Sequence, residues 1–112
     1  GGTVMREIKA VVRKDRIDDV IHALHAIDGL PGMTISVVRG VGRARSEAHA
    51  GTFGDVEMAK LEIVVADQLE NRVVAAIAEA ARTGRAGDGK IFVYPVGRVV
   101  RIRTADEGEM AL

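Results

Sequence analysis

Residues 83–93 read TGRAGDGKIFV, and this stretch carries the chemistry-bearing pattern. Glycines leave backbone N–H groups uncovered, and Lys90 adds a point charge. About ten residues later, Arg101 and Arg103 flank Ile102. On a strand, residues two apart share a face, so two guanidinium forks would stand side by side. They repel each other unless an anion or a carboxylate joins them, and a polyphosphate can be held bidentately by both. The alternative is pairing with Asp or Glu at a subunit interface. Asp88 has three candidate roles: packing beside a ribose, orienting the loop through backbone hydrogen bonds, or capping a turn. A structural role is preferred over the ribose contact.

Other polar groups are weaker candidates. Asp18, His22 and His25 fall at i, i+4 and i+7 of a predicted helix, a spacing compatible with a surface metal. The plainer reading is a solvated polar face. His49 lies near Glu47 and Asp55 in a loop, and Arg43 and Arg45 could form a docking patch. The four methionines are scattered and read as filler. There is no cysteine, which excludes thiolate metal sites, disulfides and a thiol nucleophile. No Ser/His/Asp set or paired-carboxylate cleft is evident, so the chain is not expected to be an enzyme.

Lys plus Arg and Asp plus Glu both number 16, so bulk charge does not argue for nucleic acid or an anionic membrane. No apolar run approaches a membrane span, and neither membrane insertion nor a signal peptide is expected; a cytoplasmic location fits. Residues 1–4 read as a tag or flexible N-terminus, and 5–112 as a single domain. Aromatics are only 3%, so the core must be aliphatic.

The elements follow from periodicity. Residues 6–13 alternate, with Ile8, Ala10 and Val12 on one face. Asp15 is expected to cap a helix carrying Ile17, Val20, Ile21, Leu24 and Ile27, which stops near Gly29 and Pro31. Residues 33–39 read as a strand with Met33, Ile35 and Val37 on one face. Residues 40–58 hold four glycines and little periodicity, hence a long loop or extended hairpin. Residues 59–65 form a third strand, and Asp67 caps a second helix with Leu69, Val73, Ile77 and Ala81 buried and Gly84 at its end. Residues 91–94 form a fourth strand. Residues 98–104 read as a short fifth, with Val100 and Ile102 turned into the core and the tail from 105 poorly ordered. The order strand–helix–strand, twice, predicts an α+β ferredoxin-like (βαβ-βαβ) sandwich with both helices on one sheet face. Val11 and the apolar positions of the third strand could cover the other face in a homo-oligomer.

The 83–93 stretch, its continuation RVVRIRT at 98–104, GMT at 32–34, RGVGR at 39–43, EIVV at 62–65 and REIKA at 6–10 together resemble the PII signal-transduction (nitrogen regulatory) family. The resemblance spans nearly all of residues 5–112. It implies a homotrimer binding ATP or ADP in clefts between subunits. Gly87, Asp88, Gly89 and Lys90 would form the phosphate loop, and the Arg101–Ile102–Arg103 segment would reach the phosphates from a facing strand. Gly42, Arg43 and Ala44 would line the cleft at the base of the T-loop, here residues 44–58. Thr34 and Val64 would lie near the base.

That loop is several residues shorter than the family pattern and contains no tyrosine; the chain's one tyrosine is Tyr94. Ala44 stands where a glutamine that helps hold Mg²⁺ and 2-oxoglutarate is usual, and Met58 where a lysine is usual. Nucleotide binding therefore carries over better than 2-oxoglutarate sensing, tyrosine modification, Mg²⁺ binding or the usual ammonium-channel partner. The implied role is a nucleotide-responsive regulator acting on a partner protein through the 44–58 loop. Alternatives are a regulator of a metal-efflux or other membrane transporter responding to a metal or small anion such as bicarbonate, and a constitutive trimeric adaptor.

Overall fold

The 6–13 alternation becomes strand β1 (Met5–Arg13), with Ile8, Ala10 and Val12 buried. The computed structural model describes residues 4–43 and 53–112. Helix α1 (Ile17–His25), strands β2 (Thr34–Arg43) and β3 (Phe53–Ala66), helix α2 (Glu70–Ala81) and strand β4 (Gly89–Val96) follow. The sheet order is β2-β3-β1-β4, with every neighbouring pair antiparallel. This is the expected ferredoxin-like arrangement.

One sheet face carries both helices. Ile8 faces Ile63 and Ala10 faces Leu61 across β1 and β3, beneath Val20 and Leu24 of α1 and Val73, Ile77 and Ala81 of α2. Directly opposite residues on paired strands share a face. Ile35 and Val37 belong to this same face, opposite Leu61 and Ala59, yet remain 40% and 57% exposed. They sit on the edge strand β2, where the two helices do not reach.

Within the span 40–58, the described residues on both sides are strand rather than loop. Strand pairing runs out to Arg43 opposite Phe53, so 40–43 and 53–58 are strand. The 44–52 part of the 44–58 loop, with Ala44 and His49, lies outside the described residues.

Neither expected aspartate cap forms. A 3-10 turn precedes each helix (Lys14–Arg16 and Asp67–Leu69), so Asp15 and Asp67 fall one turn too early. Neither helix has a side-chain N-cap hydrogen bond. Arg16 compensates at the other end of α2, where its Nε and Nη2 both donate to the Ala80 carbonyl at 3.0 and 2.6 Å. A cation there suits the negative end of the helix. Helix α2 stops at Ala81, with Arg82 already extended, so Gly84 lies beyond the stop.

The fifth strand is absent. Residues 101–104 form a turn, closed by Arg101 N–H to the Asp106 carbonyl (2.9 Å) and Ala105 N–H to the Arg101 carbonyl (2.8 Å). Val100 finds a single bridge, to Glu107. Strand alternation needs a partner ladder, and this segment has only its own tail to pair with. Val100 and Ile102 consequently do not enter the core; they are 43% and 99% exposed. The tail itself is not featureless, since Gly108–Ala111 form a 3-10 turn.

Among the described residues, the opposite sheet face carries no helix. Lys9 lies over the rings of Phe92 and Tyr94, 5.1 and 5.2 Å from their centroids. Val56, Phe92 and Tyr94 are each at least 40% exposed there. No helix of the described residues is long and apolar enough to cross a membrane.

Candidate functional site

Thr34, Gly42, Val64 and Lys90 share one property fixed by register. Thr34 faces Glu62, Glu7 faces Val64, Gly42 faces Gly54 and Val11 faces Lys90, all on the helix-free side of the sheet. The candidate residues therefore open onto the face left uncovered in the single chain.

They do not form one site within it. Gly87, Asp88, Gly89 and Lys90 line a cavity of about 590 Å³ together with Gly40, Val41 and Gly42 of β2. Thr34 and Val64 line a different one, of about 430 Å³, with Glu7, Glu62, Ala111 and Leu112. Along β2, Thr34 and Gly42 are eight positions apart, roughly 27 Å of strand. The arginine turn belongs to the Thr34 end, because Arg101 Nη2 donates to the carbonyl oxygen of Leu112 at 2.7 Å. Strand β4 makes the same point: Gly89 pairs with Val12 at one end, Val96 with Met5 at the other.

The glycine-rich turn is heavily built. Gly87 and Gly89 have φ of +92° and +100°. A Cβ on Gly89 would stand 1.8 Å from the Val11 carbonyl oxygen and 2.9 Å from its carbon, so only glycine fits. The Asp88 carboxylate is engaged on both oxygens. Oδ1 accepts from Arg13 Nε at 2.9 Å and from the Thr83 hydroxyl. Oδ2 accepts from the Thr83 N–H at 2.8 Å and the Gly84 N–H at 2.9 Å. The Thr83 hydroxyl above all, then the Arg13 guanidinium and these N–H groups, hold the carboxyl well below the usual carboxylate range. This matches the loop-orienting role among the three readings of Asp88. Lys90 is exposed and pairs with no carboxylate among the described residues. The turn thus offers an anion a cation and a glycine backbone, with its one carboxylate already satisfied.

The arginine turn differs in geometry from the expected ribbon. Arg101, Ile102 and Arg103 lie in a turn, so the shared-face argument from strand alternation does not apply. Arg101 and Arg103 are both exposed, and Arg103 pairs with no carboxylate among the described residues. The side chain of Arg43 and all of Ala44 lie outside what is described. Met58, 8% exposed, is part of the wall of the 590 Å³ cavity with Val11, Val41, Val56 and Phe92. No group of three His, Asp or Glu side chains converges among the described residues, and Asp18, His22 and His25 are all exposed.

Sequence reasoning missed Arg13 and Thr83. Arg13 ends β1, on the face opposite Val12, and its partner Asp88 is 75 residues away. No local pattern signals such a contact; only the carboxylate inside a glycine turn hints that some donor must meet it.

Residues 5–106 match the family model for nitrogen regulatory protein P-II. The chain is 45% identical over 113 positions to the nitrogen regulatory protein P-II of Haemophilus influenzae, covering 96% of this chain and all of the relative. It is 42% identical, with the same coverage, to that of Azospirillum brasilense. Among solved structures it superposes on Arabidopsis thaliana PII bound to citrate with a TM-score of 0.83 and 42% identity, covering 98% of this chain and 94% of the other. The B. subtilis GlnK–ATP complex gives 0.86 and 32%, covering 100% and 99%. With a family-wide match and a shared ferredoxin-like fold, this chain belongs to the P-II nitrogen regulatory family of non-enzymatic signal transducers.

Proposed function

We propose that this protein is a homotrimeric cytoplasmic regulator that holds ATP or ADP between neighbouring subunits and signals to a partner protein through the 44–58 loop. One observation carries the reading: the two halves of the candidate site face the same open side of the sheet but lie at opposite ends of it. A ligand long enough to touch both needs the glycine turn of one protomer and the arginine turn of the next. Gly87, Gly89 and Lys90 then receive phosphate, Asp88 shapes their turn, and Arg101 and Arg103 clamp the phosphates from the neighbour. Thr34 and Val64, beside Arg101, border the base. Gly42 and the adjoining Arg43 and Ala44 connect the phosphates to the loop. Ile102, exposed at the turn's tip, packs against the neighbouring subunit.

The B. subtilis relative crystallised with ATP supports adenine nucleotide as the ligand. The citrate complex of the Arabidopsis relative supports a fold able to hold a polyanion. The cavity wall of Val41, Val56 and Met58 is apolar where the family pattern has a lysine, which argues against a dicarboxylate effector there. With no tyrosine between residues 44 and 58, signalling in this branch does not use tyrosine modification. Ala44 in place of the usual glutamine takes away one group that would help hold Mg²⁺ beside the phosphates. Nucleotide acts on the partner only as far as its affinity differs between loop states.

Calorimetry with ATP, ADP and AMP tests this. Binding of ATP and ADP at one site per protomer, with AMP much weaker, is expected. No binding by any of the three removes the reading.

A further inference from the structure

The glycine turn is held by a side chain that does not itself line the 590 Å³ cavity. Arg13 Nε donates to Asp88 Oδ1 at 2.9 Å, and Arg13 Nη2 donates to the Ala86 carbonyl at 2.5 Å. One guanidinium thus grips the residues on both sides of Gly87. Nη2 lies 3.5 Å from where a Gly87 Cβ would sit. Both side chains of the Arg13–Asp88 pair are three-quarters buried, at 24% exposure each, unlike the open Lys14–Glu57 pair next to it at 55% and 66%. Arg13 borders an adjoining hollow of about 420 Å³ that shares Val56, Met58 and Gly87 with the turn's own cavity.

We propose that Arg13 is a positioning residue for the anion-binding turn. Its fork sets where the 86–89 peptide groups stand against Gly40 and Gly42, and its charge offsets Asp88. An arriving anion then meets backbone N–H groups and Lys90 rather than an uncompensated carboxylate. The two acceptors are met by two different nitrogens, which suits a planar fork; a lysine ammonium has a single nitrogen to offer them. The inference rests on the reading that this turn holds the ligand's phosphates.

The test is ATP and ADP titration of trimeric variants, alongside unfolding without nucleotide. Arg13→Gln is expected to weaken ATP binding about 10–100-fold, and to weaken ADP less, because the lost charge balance acts on phosphate. Adding Asp88→Asn to Arg13→Gln removes the uncompensated carboxylate and recovers at least about threefold for ATP. Arg13→Lys keeps the charge and loses one contact, so it lands between wild type and Arg13→Gln. Lys14→Ala leaves affinity unchanged. Should Arg13→Gln fail to fold, Arg13→Lys alone decides: wild-type affinity overturns the inference, and a three- to tenfold loss supports it.

Lys90→Ala separates the two levels of the argument. If it binds ATP as wild type does, the phosphate reading of the turn fails. If it loses ATP while Arg13→Gln stays within about twofold of wild type, the turn is right and the role of Arg13 is wrong. Equal losses of ATP and ADP in Arg13→Gln, with no recovery from Asp88→Asn, would show a general structural role and also overturn the inference.

Discussion

Two cationic turns, at opposite ends of one sheet, differ in what their tips meet. Residues 83–90 are pinned by Thr83, Arg13 and a glycine that no other residue can replace. Residues 98–106 are closed by backbone bonds that join Arg101 to Asp106, Ala105 to Arg101 and Gly108 to Val99, and by the side-chain contacts Arg98–Glu107, Thr104–Asp106 and Arg101–Leu112, yet Ile102 stands 99% exposed at the tip. The glycine turn is finished within the protomer. The arginine turn is left incomplete, since a fully exposed isoleucine beside two arginines gains nothing from its own chain. The contrast teaches where the subunit's own sequence ends its work and the neighbour's begins.

Breaking the finished turn gives the largest effect. Gly89→Ala forces a Cβ into the Val11 carbonyl at a φ of +100° and is expected to destabilise the fold by about 3–4 kcal/mol. Denaturant unfolding measures it, and a loss below about 1 kcal/mol would mean that β1 and β4 can separate freely there.

The unfinished turn should respond in the opposite way. The double change Arg101→Ala with Arg103→Ala touches exposed side chains, so unfolding without nucleotide stays near wild type. ATP affinity falls by about 100-fold or more, because two bidentate phosphate clamps are lost. Retained affinity would place the phosphates elsewhere.

The difference between the turns also marks what the sequence could and could not say. Alternation correctly located Ile8, Ala10 and Val12 because β1 has a partner on each side. The same alternation at 98–104 misled, since Val100 and Ile102 have no ladder to join. Helical spacing found Val73, Ile77 and Ala81, yet Asp15 and Asp67 failed as caps because a 3-10 turn intervenes. Glycines at 40 and 42 hid a strand whose pairing comes from β3, not from its own apolar pattern. The glycine turn was legible as a turn; its contact with Arg13 was not, because that contact spans 75 residues.

A milder probe sharpens the same comparison. Ile102→Ser should leave the protomer's fold intact and raise the concentration at which the trimer dissociates, by the loss of about 1.5–3 kcal/mol of apolar burial per subunit. Sedimentation across a dilution series reads this, and an unchanged assembly would show that the tip stays in water.

The smallest expected effect concerns pH. Asp88 is held below the ordinary carboxylate range, so its stabilising bonds are fully present above the unfolded value near about 3.9 and are lost only as pH falls through the lower folded value. The stability gap between wild type and Asp88→Asn should therefore be flat from about pH 5 to 8. A gap that narrows toward the acid end of that range would mean that the carboxylate is titrating and the brace is loose.

Co-expression of two separately defective chains tests the shared site most directly. Lys90→Ala spoils the glycine turn, and Arg101→Ala with Arg103→Ala spoils the arginine turn; each trimer alone should fail to bind ATP. In every mixed trimer, one junction joins an intact turn of each kind, so equal co-expression should restore roughly a quarter of the wild-type ATP sites. Binding that stays absent in the mixture would contradict the account and put both turns' ligand contacts within a single protomer.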